Sequence, residues 1–464
     1  MKMPRIGLII LVISIWSCQG SNINRTLPNV VLINVDDMGW KDSGFMGSAY
    51  YETPHIDALS ELGVVFTNGY AAASNCAPSR ASLMTGQWTP RHGIYTVNSS
   101  ERGKSEHRKI IPIKNTITLS RDFQIIPAIL GDYGYTTCHA GKWHLSEDPL
   151  EYGFDLNIGG GHNGHPRSYY PPYKNVYLKG EPDEYLTDLI MRKSLSFLDT
   201  VQSPFFMNYA PYAVHTPIQP VGAFLGKYEE KPAWNGQDNP AYATMVENLD
   251  RNIGLLVQKL KDQNLFEQTL IIFTSDNGGL YGITQQSPLR AGKGSYYEGG
   301  IREPFFVVYP PKVTSNQIDV PVSHLDILPT ILHYVGIDSE SLDLDGMNIS
   351  EVIEGKAKAI DRPLFWHFPI YLGAFQVHNN ENRDSLFRTR PGSVIRYGDW
   401  KLHYYFENHE MELYDLAEDI GERNDLSDSK PEKREELLAI LREWWTRTNA
   451  PIPEVQNPDY KGNK

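Results

Sequence analysis

Two strand-like segments lie far apart in this 464-residue sequence and share one design: NVVLINVDD closes on Asp36 and Asp37, and TLIIFTSDN closes on Asp276 and Asn277. Together they supply the carboxylate and amide oxygens that hard cations such as Ca2+ and Mg2+ prefer. Either pair alone reads as ordinary turn and helix-capping residues. Their repetition is what points to a cation. A third stretch, SNCAPSRAS at 74–82, places Cys76, one of three cysteines, in polar surroundings with Pro78 and Arg80 just behind it. A disulfide to Cys138 is its plainest explanation, although nothing in the spacing supports one. His144 in GKWH and His215 in HTP are each as readily structural as functional when taken singly. Beside a cation, either would suit proton transfer, because imidazole titrates near working pH.

These residues need a scaffold that brings strand ends together. Continuous apolar runs closing on acids are what strands buried on both faces look like. The pattern predicts helices over 55–62, from about 78, over 124–130, 184–198, 241–261 and 326–334, alternating with strands at 28–37, 64–66, 135–139, 204–209 and 269–275. In the long helix, Met245, Leu249, Ile253, Leu256 and Leu260 keep a 3.6-residue rhythm. Such alternation implies an α/β fold with a large, mostly parallel sheet sandwiched by helices, in which ligands bind beyond the carboxyl ends of the strands. Asp36, Asp37, Asp276 and Asn277 are all expected there. A smaller C-terminal α+β unit follows, with strands at 364–367, 393–396, 400–405 and 412–414 in an antiparallel sheet and a closing helix over 431–446. The catalytic domain is accordingly placed at 27–361 and the smaller subdomain at 362–464.

Cys76-Ala77-Pro78-Ser79-Arg80 matches the CxPxR signature of the type I sulfatases, a family of the alkaline phosphatase superfamily. The chain resembles that family along nearly its whole length, since PNVVLINVDDMGW, CAPSRASLMTG, GKWHL, FTSDNGG, AGKGSYYEGGIREP, GDWKL and ELYDL occur in order. The resemblance implies hydrolysis of sulfate esters and a cysteine oxidised to Cα-formylglycine by a maturation enzyme. It also implies a bound Ca2+, rather than Mg2+, held by Asp36, Asp37, Asp276, Asn277 and the modified Cys76. Arg80, Lys142, His144, His215 and Lys293 are implied as the residues around the sulfate. His144 would deprotonate the second hydroxyl of the hydrated aldehyde, and His215, with Lys293, would protonate the leaving group. The chemistry accounts for these types: a sulfate ester repels nucleophiles and leaves as a poor alkoxide, so cations must offset charge while an acid protonates the departing oxygen. An aldehyde hydrate attacks through one hydroxyl and releases sulfate through the other, whereas a thiolate would be trapped as a stable adduct.

For the substrate, the overall style resembles bacterial carbohydrate sulfatases acting on oligosaccharides from sulfated polysaccharides such as ulvan or galactans. GGGHNGHPRSYYPPY at 159–173 is the candidate sugar-recognition loop, with His162, His165 and Arg167 as polar contacts and the tyrosines as walls. A rigid Gly/Pro loop without ligand contacts reads the same stretch equally well. The Asn- and Arg-rich 379–393 is a second segment able to close over the pocket. Two rival functions remain open: a phosphate or phosphonate monoester hydrolase on the same scaffold, and a binder of sulfated glycans without turnover.

The formal net charge of −13 excludes a broad polyanion-binding surface and argues against nucleic acid as a partner. Residues 1–20 begin with a basic start and an apolar run too short to span a bilayer, as in a signal peptide for export to the periplasm. Ile15-Trp16-Ser17-Cys18 also resembles a bacterial lipobox, so Cys18 is a candidate lipid anchor to the membrane.

Overall fold

A computed structural model describes residues 27–202, 204–373 and 381–462. The proposed signal segment and Cys18 lie outside these residues, as do the first two positions of the 379–393 stretch.

The main sheet contains β1 (Asn29–Val35), β2 (Val64–Tyr70), β3 (Thr136–Gly141), β4 (Leu156–Ile158), β5 (Phe205–Ala210), β6 (Thr269–Ser275), β7 (Arg302–Val308), β8 (Asn316–Ile318) and β9 (Val322–Ser323). Its order is β4-β3-β5-β1-β6-β7-β2-β8, with β9 also on β2. From β4 to β6 every pairing is parallel, while β7 runs antiparallel to both β6 and β2. β1 explains the sandwich by itself: Val31, Ile33 and Val35 enter one apolar core, and Val30 and Leu32 enter another on the opposite face. Helices Leu186–Thr200 and Pro240–Asp262 cover the first face, and helices Cys76–Thr85, Ile126–Asp132 and Ile327–Val335 cover the second. Met245, Leu249, Ile253, Leu256 and Leu260 are all buried. Each such side chain stabilises the fold by roughly 1.5–3 kcal/mol relative to exposure.

The expected strands and helices are present to within a few residues at each end. β7 was not expected, and its sequence shows why. REPFFVV opens on two charged residues and carries Pro304, which argues against an interior strand. The structure accommodates Pro304 where β2 shifts register between Phe66 and Gly69 and beyond the last residue paired with β6, Phe306.

Beyond β9 come β10 (Leu364–Phe368), the short pair β11 (Leu372–Gly373) and β12 (Phe387–Thr389), and β13 (Gly392–Tyr397), β14 (Trp400–Tyr405) and β15 (Glu410–Asp415). Strands β10, β13, β14 and β15 form an antiparallel sheet, against which helix Pro431–Thr448 packs. A buried ionic network fastens this sheet to the main one. The Glu298 carboxylate accepts from Lys401 at 2.8 Å and from the Tyr70 hydroxyl at 2.6 Å, and Glu422 pairs with Lys401 at 2.9 Å and His403 at 3.0 Å. Burial opposes ionisation of Glu298, yet Lys401, Arg302 and Arg396 outweigh it and draw its pKa down to about 2.

Candidate active site

The parallel strands deliver their successors to one rim. Asp36 and Asp37 follow β1, Lys142 and His144 follow β3, His215 follows β5, and Asp276 and Asn277 follow β6. Parallel pairing of β1 with β6 sets Val35 beside Ser275, so the two acidic ends meet although 240 positions separate them. Cys76 opens helix Cys76–Thr85 directly after β2, and Lys293 comes from the loop before β7.

A cavity of about 590 Å³ lies over this rim, and Asp37, Cys76, His144, His215 and Lys293 form part of its lining. Lys293 Nζ donates to Asp37 Oδ1 at 2.5 Å and lies 3.1 Å from Cys76 Sγ. His144 lines the same cavity beside the Cys76 thiol, and its buried Nδ1 has no hydrogen-bond partner. His215 directs Nε2 to Asp37 Oδ2 at 3.5 Å while Nδ1 meets the Thr216 carbonyl at 2.8 Å. Behind these residues Lys142 Nζ donates to both oxygens of Asp36, at 2.7 and 2.8 Å, and Arg80 Nε donates to Asp276 Oδ2 at 2.8 Å. Arg80, Lys142, Asp36, Asp276 and Asn277 are all buried. The arrangement therefore has two layers, a reactive floor and an ionic layer beneath it. Each of the three aspartates lies within 4.0 Å of two basic side chains: Asp36 and Asp276 share Lys142 and Arg80, and Asp37 meets Lys293 and His215.

Burial opposes the Cys76 thiolate, but Lys142 and Lys293 outweigh it and hold the thiol well below its ordinary pKa. Burial likewise opposes the Asp37 carboxylate, and His215 with Lys293 reverses the balance and keeps its pKa low. For Asp36 burial wins over Lys142, raising it to about 8. The two histidines diverge. Burial lowers His144 to about 4, whereas for His215 the attraction of Asp37 overcomes burial and raises the pKa.

The donor set fits a hard cation. Ligand atoms of Asp36, Asp37, Cys76 and His215 lie within 4.8 Å of one another. Asn277 Nδ2 donates to Asp37 Oδ1 at 2.8 Å, and its buried Oδ1 has no hydrogen-bond partner. An oxygen so placed beside clustered carboxylates is the acceptor that a cation would satisfy. Asp276 is joined to the group through Oδ1, which accepts the Asp37 amide at 3.2 Å.

The 159–173 stretch is divided in its behaviour. His162 and His165 line the cavity; His162 meets His144 edge-on at 6.4 Å, and His165 stacks on His215 at 5.7 Å between ring centroids. Arg167 is exposed and stands outside the cavity lining. The tyrosine walls are a correction: Tyr169 and Tyr173 belong to the hydrophobic core. Tyr169 instead donates its hydroxyl toward the carbonyls of Tyr212 at 2.6 Å and His215 at 2.8 Å, bracing the His215 loop from below. The Cys76–Cys138 disulfide is also overturned, since both are free and buried, with Cys138 inside β3. Sequence reasoning missed Thr96, Asn98, Arg102, Leu280 and Leu372 in the cavity wall, which carry no motif. Arg388 of the Arg-rich 379–393 stretch does reach that wall.

Comparison with known proteins agrees with this geometry. The family model described as Sulfatase matches residues 28–337, and one described as N-sulphoglucosamine sulphohydrolase, C-terminal, matches residues 292–448. A sulfatase of Formosa agariphila is 31% identical, over 97% of this chain and 95% of its own. Human N-acetylgalactosamine-6-sulfatase is 29% identical over 89% of this chain and 84% of its own. The crystal structure of Ps i-CgsB superposes with a TM-score of 0.74 at 31% identity, covering 90% of this chain and 92% of that one. The same protein in complex with k-i-k-neocarrahexaose gives a TM-score of 0.73 at 30% identity, again covering 90% of this chain and 92% of that one. With its aspartate, lysine and histidine constellation assembled at the strand ends, this chain belongs to the sulfatase family and is a sulfuric ester hydrolase.

Proposed function

We propose that the protein removes sulfate from sulfated oligosaccharides, with Cys76 matured to formylglycine and Ca2+ held by Asp36, Asp37, Asp276 and Asn277. The observation that carries the reading is the cavity floor, where Cys76 stands at the head of a helix between Lys293 and His144 with His215 across Asp37. The carbohydrate class is supported by the names of relatives, N-acetylgalactosamine-6-sulfatase among them, and by the neocarrahexaose complex of Ps i-CgsB. Export to the periplasm and a lipid anchor at Cys18 complete the reading, on the composition of residues 1–20.

When present, formylglycine supplies an oxygen nucleophile with a built-in route for releasing sulfate. A bound calcium would supply positive charge against the anionic head of the ester. The chain's own residues do the rest. Lys293, at 3.1 Å from the position-76 side chain, neutralises charge where the ester's oxygens must sit. His144, beside position 76 in the cavity lining, is assigned to take a proton there. His215, partly exposed to the cavity and held by Asp37 and the Thr216 carbonyl, is assigned the protonation of the leaving oxygen. Arg80 and Lys142 keep the acidic layer in place from beneath.

Sulfate release from a panel of defined sulfated oligosaccharides tests reaction and substrate together. The reading expects release from at least one, with matched phosphate esters cleaved far more slowly; a preference for the phosphate esters overturns it.

A further inference from the structure

The cavity over Cys76 has a wall that the chemistry at its floor does not use. Thr96, Val97 and Asn98 line it, and of the three only Asn98 is exposed. The floor is ionic, with Asp37, Lys293 and the histidines, whereas this stretch carries no charge.

The stretch is built as an ordered support. Buried Asn115 commits both ends of its carboxamide to it: Oδ1 accepts the amides of Tyr95 at 2.7 Å and Thr96 at 3.1 Å, and Nδ2 donates to the carbonyls of Thr96 at 2.9 Å and Asn98 at 2.7 Å. Arg102 Nη2 holds the carbonyl of Val97, between those two, at 2.6 Å. Thr96 is tied in turn to the residue before Cys76, since Asn75 Nδ2 donates to its hydroxyl at 3.2 Å. Asn75 occupies the helix cap yet makes no capping hydrogen bond, so its side chain serves the wall and not the helix. Two residues span at most about 7 Å. Asn98 therefore stays near the reacting group, within reach of the sugar that bears the ester.

Asn98 has φ +60°, in the left-handed region that few residues besides glycine, asparagine and aspartate enter. Its carbonyl turns inward to Asn115. Among the described residues, the hydrogen bonds of 96–98 are made by the backbone and the Thr96 hydroxyl, which leaves the Asn98 carboxamide open to the cavity. Tolerance of positive φ accounts for the residue type there, but glycine would serve that purpose equally. A carboxamide donates and accepts, as a hydroxyl does, and has no charge to compete with Lys293 for the sulfate.

We infer that Asn98 is a specificity-determining residue that hydrogen-bonds a ring hydroxyl of the sugar bearing the sulfate ester, from the position that Asn115 fixes. Because the support is already ordered, little freedom is lost when that bond forms. The inference rests on the carbohydrate reading above and adds to it that the sulfated sugar keeps a free hydroxyl facing residues 96–98.

Asn98→Gly removes the carboxamide and keeps the backbone, because glycine takes positive φ without strain. The probes are methyl glycosides of galactose and N-acetylgalactosamine carrying one sulfate, each beside analogues in which a single remaining ring hydroxyl is replaced by hydrogen. In the wild type, loss of one particular hydroxyl should lower kcat/KM about tenfold, as one hydrogen bond does. In Asn98→Gly the same loss should lower it twofold or less, with the thermal midpoint within a few degrees of wild type. A tenfold preference that survives Asn98→Gly, or a wild type indifferent to every deoxy analogue, overturns the inference. So does release of sulfate from oligosaccharides but from none of these glycosides, which leaves the carbohydrate reading standing. If the wild type cleaves 4-nitrophenyl sulfate and no sulfated sugar, the carbohydrate reading fails and the inference falls with it.

Discussion

Cys76 stands at the N-terminal end of a helix, where the backbone dipole contributes partial positive charge. With Lys293 at 3.1 Å, that position is prepared for an anionic atom whatever its chemistry. Cys76→Ala should abolish turnover while leaving the thermal midpoint within a few degrees of wild type; retained turnover would remove position 76 from the reaction. Asp276 accepts the Asp37 amide through Oδ1 beside the proposed cation site and balances buried Arg80 through Oδ2. Asp276→Ala should therefore weaken calcium binding in calorimetry and also destabilise the fold by about 3–5 kcal/mol in denaturant titrations, because an unpaired guanidinium is left buried. The histidines separate by leaving group. His215→Ala should slow alkyl sulfates, whose oxygen needs a proton, much more than nitroaryl sulfates, whose oxygen does not. His144→Ala should slow both alike, and a reversed pattern would exchange the two roles.

Among elements, the loop after β4 matters more for positioning than its polar composition implies. His144 has φ +64°, an uncommon backbone for a non-glycine residue, and its amide donates to the Gly161 carbonyl at 2.9 Å. Gly164 packs face-on against its ring: a Cβ there would lie 2.3 Å from the imidazole. Gly164→Ala should thus displace His144 and lower kcat by tenfold or more with little change in thermal midpoint, as steady-state kinetics beside a melting curve would show. Tyr169 plays the corresponding part for His215 from within the core. In both cases a residue of the 159–173 stretch sets the position of a histidine in the cavity wall.

Over the whole molecule, acid is the condition to which the fold is most sensitive. His92, His139, His324 and His367 are buried, and burial lowers each to about 3. The unfolded chain takes up protons at these four sites from about pH 6.5 downward while the folded chain does not. The stability these four histidines contribute is therefore fully present above pH 6.5 and declines toward the folded values, at about 1.4 kcal/mol per group for each pH unit. The Glu298 network adds a second loss below about pH 4.5, continuing toward pH 2, because its carboxylate is ionised in the folded state. Asp36 and Asp250, raised to about 8 and about 7 by burial, oppose this loss because they take up protons in the folded state. The histidine contribution is therefore read by difference: His92→Gln should make the thermal midpoint fall less between pH 7 and pH 5 than in the wild type, and an unchanged slope would contradict a buried neutral His92.

The parallel α/β plan, the long helix and the two acidic strand ends were legible because each is local: a run of apolar residues, a 3.6-residue rhythm, acids at a strand's end. The CxPxR stretch, GKWH and HTP were legible as well, since chemistry restricts the residue types that can stand there. The sequence could not show that Pro304 fits an interior strand, because the accommodating register shift belongs to β2. It could not assign Tyr169 to core or cavity, because a glycine-rich loop has no periodicity to reveal its inner face. Nor could it show that Asn115 holds the 95–98 loop in the cavity wall, because no motif or period marks that contact. Motifs that resemble those of the sulfatases identified the reaction, and strand periodicity placed the acidic ends beside it. Tertiary packing decided the two-layered site and the shape of the wall beside it, because both depend on contacts between segments far apart in the chain, 196 positions for Arg80–Asp276 and 95 for Arg388–Lys293.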